Sequence, residues 1–223
     1  EFRRVLFRSP AISELIEKVA TGELPPNALG LDRPSLDSAR EIQWHRIEQA
    51  MKAERYDEVI DELREFISKV PEDYRLHAYL GTCLLRAEKR RQLNSAEEHL
   101  ERACQLNPDW YYPWCERMVV WQFKGMPEMA PQVFRDTPRS VQEGSHEANR
   151  QLGMCLLSAK QYPQALEALL RATTLNPEDG ESWDAAAACA FLLDQKKAGT
   201  KYAKRARHLD FSEAFDRWVR RIR

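Results

Sequence analysis

An all-α fold of antiparallel helix pairs stacked into a solenoid is what this 223-residue sequence predicts. Three observations predict it. Glycine is scarce, with 8 in the chain, as a nearly all-helical protein requires. Within residues 146–179, Leu152 and Leu156 share one helical face, while Ala165, Leu169 and Ala172 share another at helical spacing. The pattern then returns along the chain. Trp114 and Trp183 are 69 residues apart, and so are Pro108 and Pro177, which is two units of about 34 residues plus one.

Bulk properties narrow the functional classes. With 43% hydrophobic and 31% charged residues the chain is built to fold, not to remain disordered. A formal net charge of -1 exerts no overall pull towards nucleic acid or an anionic membrane. No apolar run approaches the roughly 20 residues that a bilayer-spanning helix needs. The cysteines Cys83, Cys104, Cys115, Cys155 and Cys189 are odd in number and form no Cys-x-x-Cys pair. That argues against a disulfide framework or a zinc site and points to a reducing, cytoplasmic setting.

In chain order, Glu1–Ser9 reads as the in-frame translation of a sequencing-library adapter, with a basic targeting stub as the alternative. On the first reading the native start of the protein is missing. Residues 10–36 form a short helix, with Ile12, Leu15, Ile16 and Val19 at helical spacing, and then a linker broken by Pro25, Pro26, Gly30 and Pro34. Ser35 or Asp37 is placed to cap the first helix of an array over 37–223.

Four segments align with 146–179. In 40–73, Tyr56, Val59, Leu63, Phe66 and Pro71 take the places of Tyr162, Ala165, Leu169, Ala172 and Pro177, but Arg46-Ile47 replaces Leu152-Gly153. In 74–110, Leu80-Gly81, Ala96, Leu100, Ala103 and Pro108 match, with a longer basic loop, Lys89–Asn94, between the helices. Segment 111–145 keeps Trp114, Gly125, Ala130 and Phe134, and its Pro127 and Pro131 predict a shortened second helix followed by a loose connection. Segment 180–213 has Trp183, an alanine-rich first helix, and Gly199, Ala203 and Ala206 on its second. Residues 212–222 read as a final helix, with Ala214, Phe215, Trp218, Val219 and Ile222 on one face and Asp216, Arg217, Arg220 and Arg221 opposite, suited to sealing the last unit.

Leu-Gly on the first helix, alanines and leucine on the second, and a closing proline resemble the tetratricopeptide repeat, a helix–turn–helix unit of about 34 residues. The resemblance covers 40–213. It implies a right-handed superhelical solenoid whose concave face, lined by first helices, binds a peptide or partner domain. The inner positions it implies are Arg75, Tyr79, Thr82 and Arg86 from one unit and Tyr112, Glu116, Val119 and Phe123 from the next, followed by Arg150 and Met154. All ten are expected to be exposed. Tyrosines, Phe123 and the arginines would suit an extended peptide of aliphatic and acidic character, although packing between repeats is the competing reading for Tyr79 and Phe123. Some members hold a chaperone's C-terminal carboxylate with paired Lys and Asn. The matching places here are Trp44 and Glu48, Ala78 and Thr82, Cys115 and Val119, and Arg150 and Met154, so that clamp is absent.

Nothing catalytic emerges. Cys83, Cys155 and Cys189 follow the Leu-Gly place, where a small hydrophobe packs, and Cys115 is expected to be the most accessible thiol. The five histidines are isolated, so no metal or other cofactor is implied. Phosphate loops and nucleophile elbows are missing. Basic clusters at Lys196–Arg207 and Arg217–Arg223 fall at helical spacing and read as solvated faces. The sequence therefore predicts a non-catalytic protein-interaction scaffold. The alternative is the C-terminal module of a larger enzyme or regulator cut at its N-terminus. Third comes RNA binding through the basic C-terminal helices.

Overall fold

The computed structural model of the chain describes residues 36–87 and 92–209, together with Lys18, with side chains of the first helix described from residue 43 onward. The stretch 1–9, the helix expected over 10–21 apart from Lys18, its linker with Ser35, residues 89–91 of the basic loop, and the helix 212–222 with its arginine cluster lie outside the described residues, while Asp37 falls within the first described helix.

Among the described residues there is no strand. Five helix pairs follow one another: α1 (Leu36–Lys52) with α2 (Ile60–Lys69), α3 (Tyr74–Arg86) with α4 (Leu93–Leu106), α5 (Tyr111–Phe123) with α6 (Ala130–Asp136), α8 (His146–Ser158) with α9 (Tyr162–Leu175), and α10 (Gly180–Leu192) with α11 (Lys196–His208). A further short helix, α7 (Arg139–Gly144), stands between α6 and α8. From α3 onward each pair packs within itself and against the next. Before that, α2 packs on α3, and α1 joins α2 through the core that holds Ile47, Ala50, Ile60 and Leu63, the arrangement of a solenoid.

Within a pair, the second helix turns its small and leucine positions onto the first. Ala165, Leu169 and Ala172 are fully buried in α9, as are Ala96, Leu100 and Ala103 in α4. The Leu-Gly glycine is what lets the helices approach. A Cβ on Gly153 would stand 2.5 Å from Cγ of Leu169, and one on Gly81 2.6 Å from Cγ of Leu100. The leucine of the second helix thus fills the place where a first-helix side chain would be.

The turns between paired helices repeat as well. Glu54, Gly125, Lys160 and Asp194 have positive φ of 57°, 76°, 59° and 58°. After each, the next N–H reaches back to the last helical turn, as in Arg55 N to Ala50 O at 2.9 Å and Gln161 N to Leu156 O at 2.9 Å. These are Schellman motifs, which satisfy carbonyls that the helix end leaves free. At Gly125 the motif depends on the left-handed backbone, since no atom crowds the Cβ position. Gly125→Ala is therefore expected to cost about 1 kcal/mol without disturbing packing. Gly144→Ala, equally uncrowded but helical with ordinary φ, should instead stabilise by about 0.4–1 kcal/mol. Urea midpoints of the two variants check this.

The entries to α3, α5, α8 and α10 are each tied to the segment before them. The indole N–H of Trp114 donates to the Pro108 carbonyl at 2.8 Å, and that of Trp183 to the Pro177 carbonyl at 2.9 Å. Asn149 Nδ2 makes the corresponding bond to Gln142 at 2.8 Å. His77 takes the place in α3, with Nε2 3.0 Å from the Pro71 carbonyl. A donating Nε2 leaves Nδ1 of His77 as acceptor, so the proton between it and Nδ1 of His99, 3.0 Å away, belongs to His99. Burial, then His77 and Arg64, lower the His99 pKa from 6.5 to about 4. Between those values the unfolded chain binds a proton that the folded chain excludes. Stability present above about pH 6.5 is thus expected to fall as pH drops towards about 4. Thermal midpoints across that window should show a slope that His99→Gln flattens.

The unit from 111 to 145 departs from the others. Its second helix is short, as the prolines predict. The connection after it is not loose, however. It forms α7, which buries Val141, and the Gln142 side chain bonds the Thr137 carbonyl at 2.7 Å. Apolar Val141 supplies the local core that a polar-looking stretch hides in sequence. Likewise Leu93 and Asn94, expected in the basic loop, open α4.

Candidate functional site

Alternate helices α1, α3 and α5 stand side by side, and between them opens a groove of about 530 Å³. Glu48, Met51 and Lys52 of α1, Tyr79, Thr82 and Arg86 of α3, and Trp110, Tyr111, Tyr112 and Glu116 at and within α5 line it, together with Tyr56. Spacing explains the set. Tyr79, Thr82 and Arg86 lie at i, i+3 and i+7, one stripe of α3, while Tyr112 and Glu116 are one turn apart on α5.

Aromatic rings form the wall. Trp110 stacks on Tyr112, centroids 5.3 Å apart at 30°, and Trp44 stacks on Tyr79 at 5.2 Å and 17°. The two stacked pairs meet at a corner, Tyr79 against Tyr112 at 6.3 Å and 89°. Tyr74 closes on Trp110 edge to face at 5.3 Å. At the outer end the Arg75 guanidinium lies 4.9 Å over the Trp44 ring.

The polar groups of the groove are mostly matched inside the chain. Arg86 Nη2 donates to both Glu116 carboxylate oxygens, at 2.8 and 3.1 Å, and its Nε adds a bond at 3.2 Å. The hydroxyls of Thr82 and Tyr112 are 3.0 Å apart, and the Trp44 indole donates to Glu48 at 3.0 Å. Arg75 is held by Asp73 at 2.9 Å. Burial raises the Tyr112 phenol well above its ordinary value, with the Glu116 carboxylate adding to the effect. Burial and then Glu48 raise Tyr79. Both tyrosines therefore remain neutral.

Of the ten inner positions named from sequence, Tyr79, Thr82, Arg86, Tyr112 and Glu116 come together in this groove. Of the ten only Arg75 and Phe123 are exposed; Tyr79, Arg86, Tyr112, Arg150 and Met154 are half-buried, and the other three are buried. Thr82 at 2%, Glu116 at 7% and Val119 at 8% are buried, because neighbouring first helices pack closely enough to cover them. Val119 belongs to the core around Leu80 and Leu84. Phe123, 46% exposed, lies at the end of α5 and outside the groove lining. Arg150 is turned to Asp179 at 3.1 Å and Glu181 at 3.2 Å, and Met154 packs against the core of the last two pairs. The arginines expected to meet acidic groups of a ligand are thus already neutralised by the chain's own carboxylates.

Sequence reading missed Trp110. It is the N-cap of α5 and makes no capping bond, whereas Asp73, Ser145 and Asp179 cap α3, α8 and α10 from the same place. The signal was present as an aromatic run, Trp110-Tyr111-Tyr112, two residues after Pro108.

Cys115, expected to be accessible, is buried like the other four cysteines, because α8 packs over that face of α5. Burial raises the thiols of Cys83, Cys104 and Cys189 to about 12 and that of Cys155 to about 11. Among the described residues no group of three or more His, Cys, Asp or Glu is placed to hold a metal ion, and no helix is long and apolar enough to cross a membrane. In α11, Arg205 pairs with Glu178 and Lys196 with Asp194, while Lys201, Lys204 and Arg207 are exposed.

No family model matches the sequence, and no curated protein matches it either. Solved structures do match in shape. MamA from Desulfovibrio magneticus RS-1 is similar with a TM-score of 0.59 at 15% identity, over 78% of this chain and 96% of that one. YrrB, described as a TPR protein with an unusual peptide-binding site, gives 0.55 at 13% identity over 81% and 91%. The APC/C hetero-tetramer Cut9–Hcn1 gives 0.60 at 14% identity, over 89% of this chain but 35% of that one. At such identities the likeness is one of fold. Taken with the paired helices and the recurring Leu-Gly, Ala and Pro positions, it gives this chain the tetratricopeptide-repeat fold.

Proposed function

We propose that the chain is a non-catalytic scaffold that binds an extended peptide segment of a partner protein in the groove along α1, α3 and α5, on the concave face of the array. The carrying observation is the wall itself. Tyr79, Trp110 and Tyr112 converge from two successive units on one open groove, and aromatic side chains are the usual anchors of binding surfaces. A core needs no such opening. Arg86 and Glu116 pair with each other and burial keeps Tyr112 neutral, which supports binding over chemistry. YrrB, similar in fold, is described as having a peptide-binding site, and that supports the reading without transferring its ligand.

Peptides selected from an unbiased library on the whole chain test it. Tyr79→Ala is expected to weaken the selected binders at least about tenfold, equivalent to about 1.4 kcal/mol, with helicity unchanged by circular dichroism. Arg150→Ala, outside the groove, should leave them unaffected. Binders indifferent to Tyr79→Ala would place the interaction elsewhere.

A further inference from the structure

We propose that the ligand of this groove is a proline-rich segment in the polyproline II conformation, held through the indole N–H of Trp110 and the phenol O–H of Tyr79. The proposal rests on the groove being a peptide site and goes further by naming the class of peptide.

The hydrogen bonds of the groove lead to it. The Glu116 carboxylate is taken by Arg86, Thr82 and Tyr112 bond each other, and Glu48 accepts from Trp44. Trp110 Nε1 and the Tyr79 hydroxyl have no partner among the described residues, and both can donate. A polyproline II strand has no internal hydrogen bonds, so its carbonyls are free to accept, and proline brings no N–H that would need an acceptor. An ordinary extended peptide would bring N–H groups that the groove, its acceptors largely taken, serves poorly.

Charge selects in the same direction. Arg86 cancels Glu116, and Glu48 and Lys52 are of opposite sign one turn apart on α1. No net charge is left to favour an acidic or a basic ligand. What the groove offers is ring faces, two stacked pairs meeting nearly at right angles, and aromatic-lined grooves are the surfaces on which proline rings pack.

The N-terminus of α5 adds an independent observation. Trp110 has the extended backbone of an N-cap, φ -85° and ψ 111°, and sits where Asp or Ser caps three of the other first helices. The chain thus forgoes a capping bond where the Trp110 indole reaches this groove.

A blocked peptide of about ten prolines, long enough for about three turns of the polyproline II helix, is the probe. Its comparison peptides have alternate prolines replaced by alanine, or carry acidic or basic residues. The proline peptide should bind at least about fivefold tighter than the alanine-substituted one, as expected for a preformed strand without surplus N–H groups. On saturation the Trp110 indole N–H resonance should shift. Tyr79→Phe keeps the ring and should weaken binding about threefold or more, one hydrogen bond's worth. Trp110→Asp is the decisive variant. It should keep a cooperative thermal transition, because the restored cap offsets the lost ring contacts with Tyr74, Tyr79 and Tyr112, while losing at least about tenfold in binding, which excludes misfolding as the cause. Equal binding of the alanine-substituted peptide, or full binding by Trp110→Asp, overturns the proposal. If library-selected peptides free of proline bind in a Tyr79-dependent way and the proline peptide does not, the proline assignment falls and the peptide site stands. If no selected peptide depends on Tyr79, both fall.

Discussion

Replacing Leu169 with alanine is expected to destabilise the array by about 2–5 kcal/mol, read from urea midpoints at constant m. Leu169 is fully buried, and its branch point occupies the space over Gly153 that a first-helix side chain would otherwise hold. Truncation opens a cavity that flanking helices, fixed by their own pairs, close only in part. The reverse change, Gly153→Ala, drives a methyl group to within 2.5 Å of Leu169 and should cost about 1–3 kcal/mol by overpacking. Since both act on one space, the double variant should be less destabilised than the two losses together. Strict additivity would mean that the glycine has another role. Gly81 and Leu100 form the equivalent contact between α3 and α4, so the same series there provides a replicate.

Arg86→Met is expected to cost about 1–3 kcal/mol, because it leaves the buried Glu116 carboxylate without its cation. The Arg86 side chain is 38% exposed, so water reaches the site and holds the loss below that of a fully enclosed pair. Adding Glu116→Gln should recover part of it, and the double-mutant cycle should give a coupling of about 1–3 kcal/mol. This pair joins α3 to α5, so its loss should loosen one repeat against the next while each hairpin remains intact. If the coupling is near zero, the two groups only happen to be neighbours. In a solenoid such couplings between units matter, since no unit has a core of its own to fall back on.

Much of this architecture was legible in the sequence because helix pairing depends on local, periodic requirements. Leu152-Gly153 with Ala165, Leu169 and Ala172 encodes which faces meet, and Pro108 and Pro177 mark where second helices end. Half of the groove could be named by register alone, since Tyr79, Thr82 and Arg86 share one stripe of α3 and Tyr112 and Glu116 one stripe of α5. Trp110 escaped because it precedes its helix, where periodicity carries no information. Arg150 and Met154 share that register but belong to a later unit, away from this groove.

By itself, then, the amino-acid order determined the helical period, the places of close approach and the fold class, all of which follow from the chemistry of neighbours within about one unit. Only the tertiary structure decided which inner-stripe side chains stay open. Burial of Thr82, Glu116 and Val119, the closing of Arg86 on Glu116 across 30 residues, and the meeting of Trp110 with Tyr79 depend on how closely successive units stack. That distance is a sum over many side-chain contacts between units, and no local pattern in the chain records it.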